Sequence, residues 1–241
     1  MANLDNAIHS FSMAIPNFLA KGLSNGAAFT NTSFASGNND LYTVPAGRKF
    51  ILTGAAVYNT SGGTITYYLE AKISGTYYRV GGNSGVGNNT FGTVSVSGGN
   101  VLLEAGQIVA INASSAGGTL VRITGMEFDA GIPWKTTFFT SFAAGDNTIY
   151  TCPAGKRALM TGTFLIGNAS GASRTYSYNH VLSGGSVAFA NQQGVAVSIG
   201  DGASSNLAAT ANQMFSAGDF MSINSSSATA TQYCWINYYE F

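Results

Sequence analysis

Tyr42-Thr43-Val44-Pro45-Ala46-Gly47-Arg48-Lys49 returns as Tyr150-Thr151-Cys152-Pro153-Ala154-Gly155-Lys156-Arg157, at a constant offset of 108 residues that also places Thr32-Ser33-Phe34 on Thr140-Ser141-Phe142. Each copy runs from a short apolar stretch through a Pro with no N–H for a ladder, an Ala-Gly turn and two cations into a longer apolar stretch. That order reads as strand, tight turn, strand. Downstream, Gly54 matches Gly162, and Asn59 matches Asn168 after one inserted residue. Ala105-Gly106-Gln107-Ile108-Val109-Ala110-Ile111-Asn112 matches Ala217-Gly218-Asp219-Phe220-Met221-Ser222-Ile223-Asn224, and Ile123 to Phe128 matches Ile236 to Phe241. A tandem duplication over 31–128 and 139–241 follows. A period of about a hundred residues marks a duplicated domain, outside the roughly 20–50 residues of solenoid repeats.

The 241 residues then divide into two domains of ordinary size, each able to bury a core. Hydrophobic residues make up 45% and charged residues only 8%, against about 25% charged in an average globular domain. The polar surface must be Ser, Thr, Asn and Gly. Ten cations balance ten anions with no run of either sign, which excludes the basic stripe that a nucleic-acid partner needs. A surface this neutral lacks the usual protection against association, and is tolerable if partners cover it. No basic region precedes an apolar stretch at the N-terminus, and no apolar run approaches the ~20 residues of a bilayer helix. A cytoplasmic site of synthesis and no membrane partner are expected.

From Phe34 onward the pattern is strands and glycine turns. The first copy predicts strands near 41–44, 50–58, 64–72, 76–80, 91–96, 101–103, 107–113 and 119–128. The second predicts strands near 147–152, 157–167, 174–182, 186–191, 195–199, 207–215, 219–225 and 231–241. No segment of either copy has helical periodicity. The expected fold is all-β: two tandem antiparallel β-sandwich domains, jelly-roll or Greek-key in type, with an N-terminal arm.

The arm, residues 1–30, has no counterpart in the second copy. Leu4, Ala7, Ile8 and Phe11 follow the possible cap Asn3 at helical spacing, Pro16 interrupts, and Ile15, Phe18 and Leu19 form a second apolar group. Such a segment is too short to bury its own apolar side. It either straps onto its own domains or reaches a neighbouring subunit through Ile8, Phe11, Phe18 and Leu19. The connector, residues 129–138, holds Ile132-Pro133-Trp134-Lys135 and reads as a stiff join with Trp134 wedged between the lobes, or else as an aromatic on which a ligand stacks.

Catalytic chemistry is sparse. His9 and His180 lie far apart without metal-ligand spacing, and His180 reads as a surface or interface residue. No Gly-x-Ser-x-Gly elbow, Walker loop or zinc motif occurs. A glycosidase needs two carboxylates, and of the ten only Glu127 and Glu240 keep their type at matched positions. A residue kept in both copies speaks for domain structure. Cys152 and Cys234 fall where the other copy has Val44 and Val121, which makes them buried small hydrophobes, or a disulfide. Arg48-Lys49 and Lys156-Arg157 suit the protection of a sheet edge or a ligand. Tyr67, Tyr68, Tyr77, Tyr78, Tyr176, Tyr178, Tyr233, Tyr238 and Tyr239 suit a half-buried face, sugar stacking or subunit contact. The expectation is a protein that is not an enzyme and holds no catalytic residue, cofactor or metal.

Tyr42 to Gly47 with Asn59 to Gly62 and Ala105 to Ile111, and Tyr150 to Gly155 with Asn168 to Gly171 and Ala217 to Ile223, resemble the small β-sandwich modules common in tailed-bacteriophage virion proteins. The resemblance covers nearly everything after residue 31. It implies a virion structural protein, usually trimeric. A capsid decoration or cement protein bridging capsid subunits is favoured, its partners being itself and the major capsid protein or other virion proteins. A tail, baseplate or fibre component and a carbohydrate-binding adhesin are the alternatives.

Overall fold

The structure is a computed structural model that describes residues 24–25, 34–82, 84–97, 100–185, 197–208 and 213–241. The first lobe contains β1 (Ser24–Asn25), β2 (Gly37–Thr43), β3 (Arg48–Asn59), β4 (Ile65–Ile73), β5 (Thr76–Arg79), β6 (Ser84–Val86), β7 (Thr90–Ser95), β8 (Val101–Glu104), β9 (Ile108–Ala113) and β10 (Thr119–Asp129). The second contains β11 (Trp134–Phe142), β12 (Gly145–Thr151), β13 (Ala158–Asn168), β14 (Arg174–Val181), β15 (Val197–Ile199), β16 (Ala203–Ala208), β17 (Gln213–Phe215), β18 (Phe220–Ser225) and β19 (Thr229–Glu240). No helix occurs among the described residues. The all-β expectation holds.

Alternation along each strand decides which face enters the core. In β10, Val121 and Ile123 are buried while Leu120, Arg122 and Thr124 are exposed. In β4, Ile65, Tyr67, Leu69 and Ala71 point inward and join Phe50, Leu52, Val57, Val109 and Ile111 in the first core. The second core gathers Phe142, Ile149, Tyr176, Tyr178, Phe215, Met221, Ile223, Cys234 and Ile236.

Each lobe is a pair of antiparallel sheets. The first lobe sets β1-β10-β3-β7, with β8 continuing along β3, against β2-β9-β4-β5, with β6 beside β4. The second sets β11-β19-β13-β16, with β17 on β13, against β12-β18-β14-β15. Merging the short β6, β8 and β17 with their neighbours, both lobes place first, last, third and sixth strands in one sheet and second, seventh, fourth and fifth in the other. This is the jelly-roll order of two rolled Greek keys.

The expected arm and the expected connector each contribute a strand to this order. Ser24 and Asn25 pair with Glu127 and Met126 on the outer edge of β10, the place that β11 occupies on β19. Phe34 bridges Gly117 as Phe142 pairs with Thr229. The first strand of each lobe therefore begins upstream of residues 31 and 139. The strand expected over 186–191 lies outside the described residues, and of the run expected over 207–215 the described residues form the end of β16 and the whole of β17, with 209–212 outside the described residues.

Candidate functional site

The repeated motif is a hook that joins the two sheets of its lobe. Gly47 and Gly155 have φ of +74° and +73°, which puts a glycine at the third position of a type II turn closed by Arg48 N–H to Pro45 C=O and by Lys156 N–H to Pro153 C=O, each at 3.1 Å. Val44 then exchanges backbone bonds with Gln107 and Gly106, and Cys152 with Asp219 and Gly218. The tyrosine that opens the motif reaches the glutamate near the end of the lobe: Tyr42 Oη donates to Glu127 Oε2, and Tyr150 Oη to Glu240 Oε2 at 3.4 Å. Arg48 Nη1 meets Asp129 at 2.6 Å with Nε 3.5 Å from Glu127, and Lys135 pairs with Glu240. Both matched glutamates are thus held by a tyrosine and a cation of the fold, one in each lobe.

Asparagines bracket the loops in the same way, with Asn59, Asn147 and Asn168 buried and Asn39 half-buried. Asn39 holds Ala35, Gly37 and Ile111, while Asn147 holds Ala143, Gly145 and Ile223. Asn59 Nδ2 donates to Gly63 and Val86, and Asn168 Nδ2 to Ala172 and Ile199. An unpaired carbonyl in such a buried turn would cost about 1–3 kcal/mol.

The lobes meet along a seam in which the outward row of β19 and part of β11 cover the edge of the first lobe. Trp235 is fully buried within the first lobe's core, and its Nε1–H donates to Leu102 C=O at 3.1 Å. Asn237 Oδ1 accepts from Leu102 N–H at 3.3 Å, and its Nδ2 donates to Asn100. Tyr233 Oη donates to Arg79 C=O at 2.5 Å. Side chains of the second lobe thereby satisfy backbone groups of the edge strands β5 and β8, which would otherwise be open to another strand. Tyr78 packs edge-on against Phe138 and Tyr233, and Phe138 is tilted on Trp235, with Tyr78–Phe138 and Phe138–Trp235 ring centres 4.5 and 4.7 Å apart. Trp134, at the start of β11, packs with Ile132 on Ile51, Leu102 and Phe128 of the first lobe, and Lys49 donates to Trp134 C=O.

Two buried ionisable groups stand out. Glu70 is 6% exposed beside its cross-strand neighbour Arg79, whose guanidinium lies over the Tyr68 ring and donates to Gly202 C=O across the seam. Its Oε2 has no hydrogen-bond partner among the described residues, and burial pushes the carboxyl up to about 7 although Arg79 pulls it down. His180, expected at the surface or an interface, is 4% exposed, stacked on Phe215 at 3.9 Å and 3.5 Å from Asp219. Burial lowers its pKa, partly offset by Asp219. Tyr176 and Tyr178 share the inward row of β14 with it. Cys152 and Cys234 are free and buried, so the disulfide alternative is removed, and burial raises both thiols.

Among the described residues, no group of three or more His, Cys, Asp and Glu could hold a metal ion, and no helix is long and apolar enough to cross a membrane. Ile8, Phe11, Phe18, Leu19 and His9 lie outside the described residues.

The first lobe also carries an open apolar row. Leu120 of β10, Tyr58 of β3 and Phe91 of β7 stand side by side on the outer face of their sheet. Phe91 is 80% exposed and Leu120 41%, with the Tyr58 and Phe91 rings 4.4 Å apart. Sequence reading passed over this row, although Phe91 sits in phase with outward-facing Thr93 and Ser95 of β7 and so belongs on the solvent side.

No protein-family model matches the sequence, and no curated protein does. Among solved structures, the chain is similar to a protein of the IBDV viral particle, with a TM-score of 0.27, 8% identity and coverage of 90% of this chain and 69% of that one. It is similar to the N-terminal CBM22 tandem domain of Paenibacillus barcinonensis Xyn10C, with a TM-score of 0.26, 9% identity and coverage of 92% and 98%. Sulfolobus Turreted Icosahedral Virus supplies a third, with a TM-score of 0.26, 14% identity and coverage of 90% and 60%.

Proposed function

We propose that the chain is a non-enzymatic virion structural protein that works by area of contact, a capsid decoration or cement protein bridging capsid subunits as a homotrimer. The observation that carries this reading is the open Leu120–Tyr58–Phe91 row. It is an apolar strip of one aliphatic and two aromatic side chains on a sheet face, with Phe91 80% exposed, in a molecule that is 8% charged and has no net charge. An exposed Phe91 ring beside Tyr58 and Leu120, with Thr93, Ser95 and Arg122 around it, suits the centre of a protein interface. The matched carboxylates are engaged by Tyr42, Tyr150, Arg48 and Lys135 in the fold itself, which supports a structural over a hydrolytic role for them.

The test is copy number per particle, from a calibrated gel of purified virions. Hundreds of copies are expected of a cement protein. A few to a few tens would move the role to the tail, baseplate or fibre, and absence from particles would overturn the virion reading. The paired Tyr58 and Phe91 rings favour a second reading, an adhesin that stacks sugars on this platform. Glycan-array binding lost in Phe91→Ala, with assembly intact, would establish it.

A further inference from the structure

The seam inside the chain serves as a template for a contact between chains. In the second lobe, the outward row of β19, Tyr233, Trp235 and Asn237, is buried against the first lobe. The matched row of the first lobe is Leu120, Arg122 and Thr124 on β10, as the shared pairings with β3 and β13 define it, and this row is exposed. The receiving side shows the converse. Ile51 and its cross-strand partner Leu102 are buried beneath Trp134, together with Phe128. Their counterparts Leu159, Met214 and Phe241 hold the same places in the second lobe. Leu159 and Met214 are half-buried and Phe241 is 40% exposed. Among the described residues, each chain therefore leaves one face of each kind uncovered.

We propose that a second copy of this chain fills both faces, the Leu120–Tyr58–Phe91 face of one copy seating on the Leu159–Met214–Phe241 end of the next. Such a contact repeats between chains the lobe-to-lobe relation already present within one. The chemistry carries over at the centre. Trp235 gives its N–H to the Leu102 carbonyl within the chain, and Arg122, at the matched position, brings a guanidinium donor to the carbonyl of Met214. The contact is heterologous, head to tail, so it closes into a ring or continues as a filament. A homotrimer, having odd cyclic symmetry, requires a contact of this type. The inference goes beyond the proposed role by naming the two faces that meet.

Light scattering of the purified full chain at about 100 µM tests it, with Phe91→Glu and Met214→Glu as single variants whose far-UV circular dichroism confirms folding. The wild type is expected to be oligomeric and each variant monomeric. An equimolar mixture of the two variants is expected to give species of twice the monomer mass and nothing larger, because only one intact head and one intact tail remain to pair. A monomeric wild type overturns the inference, as does an assembly broken by Phe91→Glu and untouched by Met214→Glu, which would mean a symmetric contact of the sheet face with itself. A wild type that is monomeric yet present in hundreds of copies per particle removes the head-to-tail contact and leaves the virion role standing. An oligomer absent from particles does the reverse.

Discussion

Glu70 lies in the outward row of β4 with Tyr68 and Lys72, and the Arg79 side chain and the nearby seam leave it 6% exposed. Its carboxyl rises from 4.5 to about 7 because burial penalises the charged form more than Arg79 favours it. Between those values the folded chain holds a proton that the unfolded chain has released. The stabilising contribution is complete below about pH 4.5 and is lost as pH rises through 7, by at most about 3 kcal/mol. Glu70→Gln keeps the shape and cannot ionise. Thermal unfolding from pH 5 to pH 8 is expected to lower the wild-type Tm by several degrees, at about 2–4 °C per kcal/mol for a chain of this size, while the variant loses this slope. An unchanged slope in the variant would show that Glu70 does not titrate in this range. His180 acts with the opposite sign. Its pKa is lowered, so its contribution is complete above about 6.5 and falls as acid forces a charge into the second core, and the Gln variant should keep that acid-side loss.

At the level of elements, glycines decide where a strand admits a neighbour's ring. A Cβ on Gly167 would stand 1.9 Å from Tyr233 Cζ, since Gly167 of β13 faces Tyr233 across the pair with β19. The ring lies flat over the glycine and from there reaches Arg79 C=O. Gly167→Val is expected to displace the ring, break that bond and cost about 3 kcal/mol in urea unfolding, at the upper end of overpacking effects. In a Tyr233→Leu background the same change should cost clearly less, because the two residues act through one contact; equal costs in both backgrounds would refute the coupling. The positions of β3, β4, β9 and β10 were legible from alternation, and the Pro-Ala-Gly hooks from turn chemistry. Strand β11 was not, because Trp134 to Phe142 is half-covered on both faces, one by the core and one by the first lobe, and a strand covered on two sides has no period of two. The burial of His180 was legible but missed: it falls two residues after Tyr178 and four after Tyr176, on their inward row. The seam itself was not legible, since Tyr233, Trp235 and Asn237 alternate with Cys234, Ile236 and Tyr238 and nothing in the strand says what covers the outer row.

Across the whole molecule, Trp235 makes one structure of two lobes. Its backbone belongs to the second lobe's sheet, while its indole completes the core of the first between the edges at β5 and β8. The first lobe is thus incompletely filled without the second, and Leu102 C=O loses its donor when the indole leaves. Unfolding of the wild type should then be a single calorimetric transition, with van't Hoff and calorimetric enthalpies equal. Trp235→Ala removes a fully buried aromatic, which costs about 3–5 kcal/mol, and the loss falls on the first lobe and the seam rather than on the second core of Phe142, Tyr176, Phe215 and Ile223. The expected result is two resolved transitions, the lower one from the first lobe. A single transition with an unchanged midpoint would mean that the lobes are stable independently and that the indole only fills space between them. If the transitions separate, the matched open row of Leu120, Arg122 and Thr124 gains physical weight as a contact surface, because the same sheet face elsewhere in the chain will have been shown to bind a lobe firmly enough to unfold with it.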